Sequence, residues 1–283
     1  MVIGNRPGVS RMAGNRLAGA RRKLKKLLPT VGQVRVREGD SGPTASADTA
    51  RVSVVVPVFN AMPELARLLT SLADQDLEPA LFEVIAVDDG STDSGRSLLD
   101  RFAEEYPNWR VIHQRNSGWP GSPRNVGIEA GTSEYVFFCD ADDRLGNEAL
   151  RRMVDFADRH QSDVLAPRMI GVGRSVQSTL YAQTSTDARL RDMLASLSPQ
   201  KLFRRELLDR HGIRFPEGKV RLEDGIMVTR CYLASRRTAV TADYDYYFLH
   251  ARRRRQHQLR AHESDRVYGF RREDRFAYRA RPP

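Results

Sequence analysis

From Arg51 onward, short runs of contiguous apolar residues alternate with longer stretches of helical spacing. Val52 to Pro57 is apolar apart from Ser53 and rich in β-branched valine, the pattern of a strand buried on both faces. Leu65, Leu68, Leu69 and Leu72 then recur at helical spacing, predicting a helix over Glu64 to Leu72. Glu83 to Val87 reads as a second buried strand, and a helix through Leu98, Leu99 and Phe102 follows it. A short strand at Arg110 to His113 comes next. Ser122-Pro123 reads as a helix start, with the Ser122 hydroxyl as cap, and Gly131 as the helix end. Glu134 to Cys139 is a further buried strand, and a helix from Asn147 to His160 and a strand at Val164-Leu165 complete the regular part. Strands alternating with helices predict an α/β fold with a mostly parallel central sheet and helices on both faces.

Three of these strands end in polar, turn-prone residues: Pro57-Val58-Phe59-Asn60, Asp88-Asp89-Gly90-Ser91-Thr92-Asp93 and Asp140-Ala141-Asp142-Asp143. Parallel strands bring such ends to one sheet edge, where open α/β folds bind ligands. Any one cluster alone is ordinary turn chemistry. Together they concentrate carboxylates that need a cation or strong donors beside them. Asp140 and Asp142, two apart at a strand end, can face one metal diphosphate, and hard oxygen ligands suit Mg²⁺ or Mn²⁺.

Charge divides the chain. Its 283 residues carry a net charge of +10. Residues 1–39 hold ten Lys/Arg against one acid, and residues 249–283 hold eleven Arg against four acids, which leaves −6 for residues 40–248. Basic ends on an acidic body fit contact with a polyanion or a lipid headgroup surface, and argue against nucleic-acid binding by the folded part. Residues 1–50 therefore read as a basic, flexible leader, with residues 16–28 a candidate for peripheral contact with a membrane. Residues 51–250 read as the folded domain and 251–283 as an Arg-rich tail. No run is long enough to span a bilayer, residues 1–30 lack a signal-peptide core, and Cys139 and Cys231 have no metal-ligand spacing. A cytoplasmic setting, at most peripheral at the inner face of the plasma membrane, is the expectation.

Val-Ser-Val-Val-Val-Pro-Val-Phe-Asn, Val-Asp-Asp-Gly-Ser-Thr-Asp and Phe-Cys-Asp-Ala-Asp-Asp, in this order, resemble the family-2 glycosyltransferases of GT-A (Rossmann-like) fold. The resemblance covers roughly residues 51–250. A narrower likeness, to the transferases that decorate wall teichoic acid, rests on Asn116 to Asn125, Ser198 to Arg204 and Leu222-Glu223-Asp224-Gly225. It implies an inverting transfer of a sugar from a UDP-sugar, such as UDP-N-acetylglucosamine or UDP-glucose. The acceptor would be a hydroxyl of a cell-envelope polymer, such as a polyol phosphate. Pro57, Phe59, Asn60 and Asp89 are implied to line the nucleotide pocket, with Asp89 accepting from the uracil. Arg124 and Asn125 would lie near the nucleotide and phosphates, as would Arg174, and Asp140 would face ribose and metal. Asp142 would be the main metal ligand, with His257 at a second ligand position, although Arg252 to Arg255 oppose a cation there. Asp224, paired with Glu223, is implied as the general base, although acids at a helix start also serve the helix dipole. The Arg-rich tail departs from the resemblance and reads either as a truncation or as a basic arm for a polyanion. A capsular or exopolysaccharide acceptor, and a sugar-nucleotide-binding remnant without activity, are the alternatives.

Overall fold

In the computed structural model, residues 50–176 and 178–251 are described. Strands β1 (Val52–Val58), β2 (Phe82–Asp88), β3 (Trp109–His113), β4 (Tyr135–Phe138), β8 (Leu202–Arg204), β6 (Val164–Pro167) and β9 (Thr238–Thr241) build a seven-stranded sheet in the order β3-β2-β1-β4-β8-β6-β9. All its pairings are parallel except those of β8, which runs antiparallel to β4 and to β6. A smaller sheet, β5-β10-β7, joins β5 (Arg144–Leu145), β10 (Tyr247–His250) and β7 (Met169–Val172).

Between these strands run α1 (Glu64–Ala73), α2 (Gly95–Glu105), α3 (Gly121–Ala130), α4 (Ala149–His160), α5 (Leu190–Met193), α6 (Arg205–Arg210) and α7 (Glu223–Ala234). The elements expected up to Leu165 are present with ends shifted by a residue or two. The regular part does not stop there, however: among the described residues four strands, β7 to β10, and three helices, α5 to α7, follow β6. Those strands are only three or four residues long, too short to show a period. The Ser122 cap is also corrected, because α3 starts at Gly121 after Pro120 and has no side-chain cap.

Successive side chains of Val52, Ser53, Val54, Val55 and Val56 point to opposite faces, yet all are fully buried, so β1 is covered on both sides. Leu65, Leu68, Leu69 and Leu72 of α1 are likewise fully buried, each worth about 1.5–3 kcal/mol against exposure. α3 approaches β1 closely at Gly127, where a Cβ would lie 2.3 Å from Val55 Cγ1. The register then sets the site. Val58 pairs with Asp88, and Val55 with Phe138, so β1, β2 and β4 deliver their polar ends to one edge. Among the described residues, no helix is long and apolar enough to cross a membrane.

Candidate active site

The ends of β1 and β2 are laced together. Asn60, at φ 47° in the left-handed region that asparagine tolerates, accepts at Oδ1 from the amides of Thr92 (2.8 Å) and Asp93 (3.2 Å). Its own amide donates to Ser91 Oγ at 3.0 Å. Asp89 is buried, and it accepts from Gln114 Nε2 (2.6 Å), the Ser117 amide (2.9 Å) and the Ser117 hydroxyl (2.9 Å). These bonds clamp the 114–117 segment over the strand end. Phe59 is 53% exposed, leaving an aromatic face at the edge, with Pro57 half-buried two residues before it.

Beyond β4, Asp140, Asp142 and Asp143 each offer a carboxylate oxygen, all within 4.8 Å of one another. Asp140 is gripped on both oxygens, by Arg124 Nη2 at 2.8 Å and Gln200 Nε2 at 2.7 Å. Asp143 accepts from the Tyr247 hydroxyl at 2.9 Å and the His250 amide at 2.8 Å. The same Tyr247 hydroxyl accepts from the Asp140 amide at 2.9 Å. Burial, reinforced by Asp140, pushes the Asp143 carboxyl up to about 7. Arg67 donates to the Asp142 carbonyl. Carboxylates held this close lower their energy by meeting a cation. The donor set, all oxygen, fits Mg²⁺ or Mn²⁺ completed by phosphate oxygens.

Arg124 joins this group to the second acid pair. It is 3% exposed, and its Nη1 donates to Asp224 Oδ1 at 2.7 Å while Nη2 holds Asp140. Burial pulls its pKa down, but Asp140 and Asp224 more than reverse this, so the guanidinium stays charged. The Phe215 ring lies 5.1 Å from its centre. Asn125 is buried beside it and exchanges hydrogen bonds with the backbone of Phe215, both at 2.9 Å, and donates to Glu217 at 3.0 Å. Asn125 thus pins the segment that backs Arg124.

Glu223 and Asp224 open α7 immediately after Leu222, which is 73% exposed with φ 62°. A leucine in that backbone region is strained, and such strain accumulates at functional sites. Glu223 is buried and Asp224 half-buried. Burial pushes the Asp224 carboxyl up to about 6; Asp140 and Glu223 add to the rise, while Arg124 and Lys201 oppose it. A carboxylate with this affinity accepts a proton near neutral pH, as a general base must.

The structure therefore brings together Arg124, Asp140, Asp142 and Asp224, with Glu223 beside them. Arg174 is exposed in the bend after β7, and among the described residues no ion pair or hydrogen bond joins it to these carboxylates. His257 lies outside the described residues. Sequence reasoning passed over Asp143, Gln200 and Tyr247. Asp143 and Gln200 stood inside motifs already singled out, whereas nothing around Tyr247 signals its bond to residues 107 and 104 positions earlier.

Comparison with known proteins adds four findings. A family profile, Glycosyl transferase family 2, matches residues 53–222. The poly(ribitol-phosphate) beta-glucosyltransferase of Bacillus spizizenii is 38% identical over 203 residues, covering 70% of this chain and 32% of the relative. The poly(ribitol-phosphate) beta-N-acetylglucosaminyltransferase TarS of Staphylococcus aureus is 37% identical over 202 residues, covering 70% of this chain and 35% of that protein. Among solved structures, S. aureus TarS 1-349 in complex with UDP-GlcNAc superposes with a TM-score of 0.70 at 37% identity, over 72% of this chain and 59% of that one. The chain thus spans about a third of the length of the curated relatives it matches.

Proposed function

Because the chain belongs to glycosyl transferase family 2, we propose that it is an inverting transferase carrying a sugar from UDP-N-acetylglucosamine or UDP-glucose to a hydroxyl of a polyol phosphate. The names of its relatives support both the donor and the acceptor class. The observation that carries the reading is Arg124, one buried guanidinium holding the donor-side Asp140 and the acceptor-side Asp224 together.

In this reading, Phe59 stacks on the base and Asp89 orders the segment beside it. Asp224 accepts the proton of the acceptor hydroxyl as that oxygen bonds to the anomeric carbon. The bond from that carbon to the UDP oxygen breaks on the opposite face, so one displacement inverts the centre. Asp142, with Asp140 and Asp143, would hold Mg²⁺ or Mn²⁺, which supplies counter-charge for the departing diphosphate. Gln200 and Tyr247 hold Asp140 and Asp143 in place, so the carboxylates need not reorganise when the donor arrives. Activity rises with pH through about 6, as Asp224 ionises. Nucleotide sugars place the reaction in the cytoplasm, and residues 16–28 are proposed to touch the membrane. Their deletion without change in the membrane-pelleted fraction would dismiss that contact.

Calorimetric titration with UDP, UDP-glucose and UDP-N-acetylglucosamine, with Mn²⁺ or with EDTA, tests the reading. Binding is expected with Mn²⁺ and is expected to vanish in EDTA and in Asp142→Ala. Metal-independent binding, unchanged in Asp142→Ala, would refute the assigned donor site.

A further inference from the structure

Lys201 is a charged group that the proposed chemistry leaves unused. It immediately precedes β8 and is fully buried. A buried ammonium is costly unless it is paired, yet among the described residues no carboxylate forms an ion pair with it. Its Nζ donates instead to the Ser198 carbonyl at 2.6 Å and to Ser196 Oγ at 3.1 Å. The carboxylate whose charge reaches it is Asp224. The loop that Lys201 holds is itself fastened to α7: the Tyr232 hydroxyl donates to the Ser196 carbonyl at 2.7 Å. Gly225, next to Asp224, faces Leu197, whose Cδ1 would lie 3.6 Å from a Cβ there. The preceding Gln200 holds Asp140.

We propose that Lys201 is a positioning residue for Asp224: it holds loop 196–198, which Tyr232 fastens to the helix that carries the base, and its buried positive charge favours the carboxylate, while it touches neither donor nor acceptor. The proposal rests on the reading of Asp224 as the base. The charged groups facing Asp224 are Arg124 from α3, Asp140 beyond β4, Glu223 on its own helix and Lys201 before β8. Burial brings the Lys201 ammonium down to about 7, so its charge is still present where Asp224 titrates, at about 6.

Lys201→Met keeps the apolar stem and removes the charge. Carboxyl ¹³C NMR titration of the full chain, with Asp224→Asn as the assignment control, reads Asp224 without any need for turnover. Its midpoint is expected to rise by about 0.5–1 pH unit in Lys201→Met. With UDP-N-acetylglucosamine, Mn²⁺ and poly(ribitol phosphate), the acid limb of kcat should move by the same amount. The donor KM should change by less than about twofold. An unmoved midpoint in folded Lys201→Met overturns the proposal. If that variant does not fold, Ser196→Ala, which removes one acceptor of the ammonium, must raise the midpoint in the same sense, and no rise overturns it equally. Full turnover in Asp224→Asn would overturn the base assignment itself, whatever the NMR shift.

Discussion

Replacing Asp224 with asparagine should stabilise the fold while stopping turnover. The Asp224 carboxyl stands at about 6 against an ordinary 3.8, chiefly because burial disfavours its charge. The folded state therefore holds this proton more tightly than the unfolded chain does. The stability that Asp224 contributes is fully present below about 3.8 and is lost as the pH rises through about 6. A rise of roughly two units corresponds to about 3 kcal/mol. The side chain is 33% exposed, and solvent screening reduces the figure to ~1–2 kcal/mol. Asparagine keeps the shape and an oxygen for Arg124 Nη1 but has no charge to desolvate. Urea unfolding at pH 3.5 and pH 8 is the assay. The variant should match the parent at the lower pH and exceed it by ~1–2 kcal/mol at the higher, about 3–6 °C in Tm. Turnover should fall by about 10²–10⁴-fold. A variant less stable than the parent at pH 8, or a gap identical at both pH values, would refute the reasoning.

Phe59→Ala removes an exposed ring, so its unfolding should stay within about 0.5 kcal/mol of the parent, while calorimetry should show UDP affinity reduced about tenfold or more through lost stacking. Gly127→Ala places a methyl 2.3 Å from Val55 Cγ1 in the centre of the sheet, and denaturant unfolding should report a loss of about 1–3 kcal/mol. Tyr247→Phe strips the hydroxyl that bridges the Asp140 amide and Asp143. A loss of about 1–3 kcal/mol in the same unfolding assay is expected, together with weaker Mn²⁺-dependent donor binding.

By itself, the sequence determined the identities of the elements that frame the donor edge. The valine-rich run of Val52 to Val56 and the leucines of α1 report local burial, and local burial is written in residue type and period. Parallel pairing of β1, β2 and β4 then followed from the alternation, and with it the meeting of Asn60, Asp89 and Asp140 at one edge. Helix starts were less legible, as at Ser122, because the chain path before α3 and not the local hydroxyl decides where that helix begins. The tertiary structure alone decided what each carboxylate touches. β8 inserts antiparallel between β4 and β6, which carries Gln200 to Asp140 across 60 residues, and Arg124 reaches Asp224 across 100. Such contacts leave no local period, because a side chain's partner across the fold is set by strand order and register. The proton affinity of Asp224 was beyond the sequence for the same reason: it is the sum of burial and of charges delivered by Arg124, Asp140 and Lys201, each from a different part of the chain.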